Sequence, residues 1–217
     1  MKRLSKRSAN QAMTLIEVLA VIAVIVLVVA MLVPLRPHTD GSKSTACRMR
    51  LKQIDLGFQM YAEDNGGKFP IQVSITNGGT MEYLERNQTF PHYQKLAPYI
   101  QYSKVLWCPL DKNRHAATDY ATLTDANLSY FLNADVSTNN PSASIMTGDR
   151  NLETNGRPIP AGLFTLTTNA KTGWTQELHP KGGNLGFADG HVEFCRSENL
   201  TTVAQNQNLV VSRLSIP

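Results

Sequence analysis

Sixteen consecutive apolar residues, Val18 to Val33, constrain this 217-residue chain more than any other feature. A single carboxylate, Glu17, stands at the head of the run. Lys2, Arg3, Lys6 and Arg7 precede it, with no acid among the first twelve residues. An ordinary secretory signal shares this outline: a charged start, an apolar stretch of roughly 7–15 residues and a small-x-small cut site, for which Val28-Val29-Ala30 is a candidate. A one-span anchor shares it too, since about 20 apolar residues suffice and Met13 to Leu35 supplies that length if Glu17 is tolerated. Glu17 weighs against both, because a carboxylate within a span costs roughly 2.5–3.5 kcal/mol at mid-bilayer. Neither a cleaved signal nor a plain anchor has a use for it.

A basic leader, Met13-Thr14-Leu15-Ile16-Glu17-Val18 and the apolar helix behind it together resemble the class III signal of type IV prepilins and type II secretion pseudopilins. In that family a prepilin peptidase cuts just before the residue four places ahead of the Glu and methylates the new amino terminus. The resemblance thus places the cut between Ala12 and Met13 and makes Glu17 the fifth mature residue. The family usually has Gly where Ala12 stands and Phe where Met13 stands; Ala12 is small and Met13 apolar. Pro34 falls at the twenty-second mature position, where pilins commonly carry a helix-bending proline.

The formal charge of +4 raises the question of nucleic acid, but the leader holds all of the excess. The remaining 17 Lys and Arg balance 17 Asp and Glu, so the basicity reads as a positive-inside signal. No basic patch argues for nucleic acid. Cys47, Cys108 and Cys195 follow the apolar run and so fall on the exported side, where disulfides are permitted and an odd count leaves one thiol over. They form no C-x-x-C, and their spacing fits no zinc site.

Beyond the run, Pro34, Pro37 and Gly41 oppose a continuous helix, so a kink or a full break is expected, with Ser42, Ser44 or Thr45 able to cap a restart. Cys47, Leu51, Ile54, Phe58 and Tyr61 then recur at helical spacing as one apolar stripe. Arg48, Lys52, Asp55, Gln59 and Glu63 fall mostly off that stripe, and Asp64-Asn65-Gly66-Gly67 ends the helix. Residues 68 to 150 are loop-rich, with one short helix expected within Tyr93–Tyr102 and strands at 144–148 and 163–168. No phosphate loop, nucleophile elbow or zinc helix occurs.

Asp189-Gly190 is a hairpin signal, with a two-residue type I′ turn inside a hairpin at 184–195. That turn pairs Ala188 with His191, Phe187 with Val192, Gly186 with Glu193 and Leu185 with Phe194. Leu185, Phe187, Val192 and Phe194 would then share one apolar face, packed on the helical stripe. His179, Asp189, His191, Glu193 and Cys195 invite a metal reading, but neighbouring ligands on one strand face lie about 6–7 Å apart and no helix supplies others. The expectation is no metal and no cofactor.

The segment from Leu51 to Pro70 also resembles one pseudopilin-like group with a C-terminal H-x9-D-G motif. Further short matches follow at Cys108-Pro109-Leu110-Asp111, Leu128–Asn133 and Gly148-Asp149-Arg150, and the motif closes at His179 with Asp189-Gly190. Major pseudopilins bind calcium in a C-terminal loop, but no acidic run here matches that loop. The resemblance implies a Cys47–Cys108 disulfide, because both belong to matching segments, with Cys195 left over or an alternative partner for Cys108.

It implies an α+β pilin-like fold: a long N-terminal transmembrane/pilin helix packed on a small antiparallel β-sheet domain. The corresponding parts are a leader at 1–12, a transmembrane and assembly helix at 13–35, a kinked or restarted amphipathic helix at 36–66 and a globular β domain at 67–217. The implied function is a structural subunit, not an enzyme, of an inner-membrane-rooted periplasmic filament of the type II secretion or type IV pilus kind. The implied partners are prepilin peptidase, other pseudopilin subunits, the inner-membrane assembly platform and the membrane. A helix-anchored exported binding module, with recognition in the 70–160 loops, is the alternative.

Overall fold

The computed structural model describes residues 14–32, 40–136, 138–139, 144–167, 170–206 and 212–217. Ala12, Met13 and Pro34 lie outside them. The chain divides into two units, residues 1–39 and 40–217.

In the first unit, helix α1 spans Leu15–Leu32. Thr14 opens it: its backbone N–H and its hydroxyl both donate to Glu17 Oε2 at 2.8 Å, so the carboxylate caps the first turn. The backbone bond leads in holding the Glu17 carboxyl below its ordinary value of 4.5. No helix among the described residues is long and apolar enough to cross a membrane. The expected long transmembrane/pilin helix packed on the sheet is therefore corrected: α1 has 18 residues, short of the roughly 20 that a span needs.

In the second unit, α2 runs from Asp40 to Asp64. It begins at Asp40, before the Ser and Thr candidates for a cap, and takes Gly41 into its first turn. The stripe Cys47, Leu51, Ile54, Phe58 and Tyr61 is buried. Gly66 and Gly67 stand at φ +64° and +76°, and the Gly67 N–H bonds to Ala62 O at 2.8 Å to close the helix end. Asp55, grouped by spacing with the mostly solvent-facing residues, is fully buried instead.

A short α3, Phe90–Gln94, has Pro91 in its first turn, where a missing N–H costs nothing. It lies ahead of most of the 93–102 stretch expected to be helical. The strands are β1 (Tyr130–Asn133), β2 (Ile145–Asp149), β3 (Leu152–Thr154), β4 (Arg157–Pro158), β5 (Gly162–Thr165), β6 (Thr172–Trp174), β7 (Gly182–Phe187) and β8 (Val192–Arg196). Helix α4 (Leu200–Asn206) and β9 (Arg213–Ile216) follow. Six strands form one antiparallel sheet in the order β5-β9-β1-β2-β7-β8, and three form a second, β4-β3-β6.

Each face of the large sheet has its own core. On one face Tyr130, Leu132 and Met146 pack with the α2 stripe. On the other, Phe131, Ile145, Leu185, Phe187, Leu214 and Ile216 pack with Trp174 of β6 and Leu200 and Ala204 of α4. An irregularity in β2 between Ile145 and Thr147 inserts Met146, and such a bulge sets two residues against one of the partner strand.

The β7–β8 hairpin departs from the expected register by one residue. Gly186 pairs with Val192, Leu185 with Glu193, Asn184 with Phe194 and Gly183 with Cys195. The Phe187 N–H bonds to His191 O at 3.0 Å and the Gly190 N–H to Phe187 O at 2.8 Å, so the loop is Ala188-Asp189-Gly190. Within it only Gly190 takes positive φ, +83°, which is the three-residue loop rather than the type I′ turn. A one-residue slip exchanges faces. Leu185 and Phe187 thus turn away from α2 into the second core, and Gly186 and Asn184 face the helix.

That exchange places Asp55 against β7. Thr147 Oγ1 donates to Asp55 Oδ1 at 2.6 Å, and a Cβ at Gly186 would stand 1.9 Å from Asp55 Oδ2 and 2.5 Å from Thr147 Oγ1. Gly186→Ala should therefore cost about 1–3 kcal/mol by overpacking. Urea denaturation would show it, and an unchanged midpoint would place Asp55 elsewhere.

Burial drives the Asp55 carboxyl well above its ordinary 3.8; the Thr147 hydroxyl pulls it back and the Asp189 charge adds to the rise. The folded state therefore holds a proton that the unfolded chain releases near pH 4. Its stabilising effect is full below that pH and is lost as pH climbs through the raised value. Asp55→Asn cannot titrate, so its stability should gain on the wild type as pH rises from about 4 toward 8. Parallel pH profiles would refute the buried proton.

Candidate functional site

The short segments scattered along the sequence converge on one end of α2. Cys47, in the third turn of that helix, is joined to Cys108 with Cα atoms 5.0 Å apart. The Cys108 N–H donates to Ser129 Oγ at 3.0 Å, and Tyr130 Oη donates to Cys47 O at 3.2 Å. Arg150 holds Asp111 by a two-pronged contact, 2.7 and 2.9 Å, and reaches Glu177 at 3.1 Å. Thus C-P-L-D, the strand segment beginning Leu128-Ser129 and G-D-R meet although some 20 residues separate each from the next.

His179 lies beside the disulfide, its Nε2 3.9 Å from Cys108 Sγ. The Asn184 side chain donates to His179 Nε2 at 3.1 Å and to Asp149 Oδ2 at 3.0 Å, and the Asn184 backbone N–H reaches the same oxygen at 2.6 Å. Asp149 Oδ2 is 3.3 Å from His179 Nε2, while Asp149 Oδ1 is buried without a hydrogen-bond partner among the described residues. Burial pushes the Asp149 carboxyl up to about 7, against the two Asn184 bonds, and burial lowers His179 below 6.5. Burial thus works against charge on either group. A cleft of about 740 Å³ reaches this cluster, with Leu110, Glu177, His179, Lys181 and Phe194 among its walls.

Comparison with family models, curated proteins and solved structures finds no match.

The two ends of the H-x9-D-G motif are not brought together. His179 precedes β7 and Asp189-Gly190 follows it, separated by about 20 Å of extended chain. Each end fastens a different part of α2. At the far end Gln59 Nε2 donates to Ala188 O at 2.8 Å, and a Cβ on Gly190 would lie 3.1 Å from the Gln59 amide. Asp189 Oδ1 accepts from the His191 N–H at 3.1 Å and contacts the His191 ring, which stacks on Phe187 at 4.0 Å. Glu17 lies in the other unit, at the head of α1.

Spacing missed the burial of Asp149 and Asn184 beside His179, and of Asp55 beside Thr147, which together form a line of buried polar groups under α2. The available signal was G-D-R in a strand with no alternation of apolar and polar residues, since the whole of β2 is buried. Cys195 is the remaining thiol, and burial pushes it up to about 11. A second buried imidazole, His92, touches Thr80 Oγ1 at 2.6 Å; burial lowers it to about 4, which keeps it neutral.

Because the Cys47–Cys108 bridge spans 61 positions, the chain-entropy model gives it about 4 kcal/mol. The double variant Cys47→Ala/Cys108→Ala should lose most of that in chemical denaturation, and Cys195→Ala, which removes no cross-link, should lose far less. Equal losses would contradict the bridge's role.

Proposed function

We propose that this chain is a pseudopilin-like structural subunit, cut by prepilin peptidase between Ala12 and Met13 and assembled into a filament through α1. The observation that carries the reading is the surface of that helix. Leu15, Ile16, Leu19, Ile22, Ile25, Leu27 and Met31 are exposed on all its sides, with one carboxylate at its head. A helix apolar all round requires apolar cover, and the same helices of neighbouring subunits supply it. The resemblance of the leader and T-L-I-E to prepilin signals supports the same conclusion and adds the inner-membrane assembly platform as a partner.

Glu17 then has two tasks. Both bonds from Thr14 fall on Oε2, which leaves Oε1 to accept the terminal ammonium of Met13 from a neighbouring subunit. An α-amine near its ordinary pKa of about 8 is charged at neutral pH. The pairing would fix the axial stagger between subunits. Glu17→Gln keeps an acceptor for Thr14 but removes the charge. It should fold and be processed normally, yet enter filaments roughly tenfold less than co-expressed wild type. Equal recovery of the variant in sheared filaments, or a mature terminus other than methylated Met13 by mass spectrometry, would overturn the proposal.

A further inference from the structure

We infer that reduction of the Cys47–Cys108 disulfide uncovers a binding site for a thiophilic divalent cation of the zinc class, held by both sulfurs and His179 Nε2, with the Asp149 carboxyl beside that nitrogen. The donor atoms of Cys47, Cys108 and His179 all lie within 4.8 Å of one another and all three residues are buried. A tetrahedral zinc with ordinary bond lengths sets a sulfur and an imidazole nitrogen about 3.6 Å apart, and a nitrogen and a carboxylate oxygen about 3.4 Å apart. The present separations are 3.9 Å from Cys108 Sγ to His179 Nε2 and 3.3 Å from that nitrogen to Asp149 Oδ2. The sulfur–nitrogen edge of the tetrahedron is thus already built, with the Asp149 carboxyl next to the nitrogen. The remaining change is to part the two sulfurs, which reduction does.

A second, independent observation points to the same place. Asp149 Oδ1 is buried and unpartnered among the described residues, and a cation bound beside it would favour the ionised form that burial disfavours. His179 Nε2 now takes a single N–H from Asn184, and that amide keeps its bond to Asp149 Oδ2 if the nitrogen turns to a metal. Two thiolates and an imidazole are a donor set that suits zinc over magnesium or calcium. Access comes from the cleft that His179 lines.

The steps balance with one co-reactant, a dithiol. The dithiol becomes a disulfide as the Cys47–Cys108 bond is cleaved to two thiols; the cation then displaces one proton from each sulfur. Oxidised protein should bind nothing there. The site therefore reports the redox state of the chain, and the cation replaces the covalent link between α2 and the segment carrying Cys108.

The test uses the full chain, oxidised or reduced with a dithiol that is then removed without air, titrated with cobalt(II) and then zinc(II). The reduced chain should take one equivalent of cobalt with thiolate-to-cobalt charge-transfer absorption, zinc should bleach it, and the oxidised chain should show none. Cys195→Ser should bind as the wild type does. His179→Ala and Asp149→Asn should each weaken binding by roughly tenfold or more. Should either variant fail to fold, melting of the wild type decides: zinc must raise the melting temperature of the reduced chain and leave the oxidised chain unchanged. Absence of the charge-transfer band in reduced wild type, a band that survives Cys47→Ser, or a band lost in Cys195→Ser would overturn the inference.

Discussion

The structure of the second unit depends on laying α2 flat across β7. Gly186 makes this possible, because any side chain there would occupy the space of the Asp55 carboxylate and the Thr147 hydroxyl. The close approach brings Cys47 to Cys108 and His179 at one end of the helix and Gln59 to Ala188 at the other. Between these ends the apolar stripe of α2 fills the core under Tyr130, Leu132 and Met146. The cost is a fully buried carboxyl group, which one hydroxyl bond and a retained proton offset.

The helix stripe was legible because a period of 3.6 residues is written into Cys47, Leu51, Ile54, Phe58 and Tyr61, and the glycines at its end mark a left-handed cap. The hairpin was legible as a hairpin and misplaced by one residue. Asp-Gly is compatible with a two-residue turn and with the last positions of a three-residue loop, and both leave an alternating pattern on each strand. What separates them is the far side of the sheet: Phe187 and Leu185 find Trp174 and α4 there, contacts between elements that local spacing does not encode. The same blindness hid β9. Its four residues enter the sheet between β5 and β1, a pairing over more than 45 residues with β5 and about 80 with β1.

The buried polar line was legible only as an order of short segments. Cys108-Pro109-Leu110-Asp111, Gly148-Asp149-Arg150 and His179 each look ordinary, and spacing between them says nothing of distance in space. Their convergence follows from topology. Asp149 ends β2, Asn184 lies in the adjacent β7, and Arg150, just past the strand, turns to Asp111 beside the disulfide. The resemblance to a pseudopilin-like group supplied the order, and the physical content came from the contacts. Asp55 carried no signal at all, because a lone acid beside an apolar stripe is usually solvated.

The two units distribute polarity in opposite ways, and this bears on how the chain is used. The second unit covers both faces of its main sheet and holds Asp55 to Thr147 and Asp149 to Asn184 through one carboxyl oxygen each. Helix α1 does the reverse, leaving its apolar side chains uncovered and capping its first turn with the one carboxylate it carries. A capping acid elsewhere on a helix would be an Asp or Glu facing water with no further role. Here the same residue sits at the edge of sixteen apolar positions, where an unsatisfied charge would be costly once those positions are covered. Thr14 meets part of that need from within the chain by fixing Oε2. In the proposed filament the other oxygen would be met by a neighbouring subunit, so covering α1 and pairing Glu17 would become a single event, and a helix docked at the wrong height would bury an unpaired carboxylate.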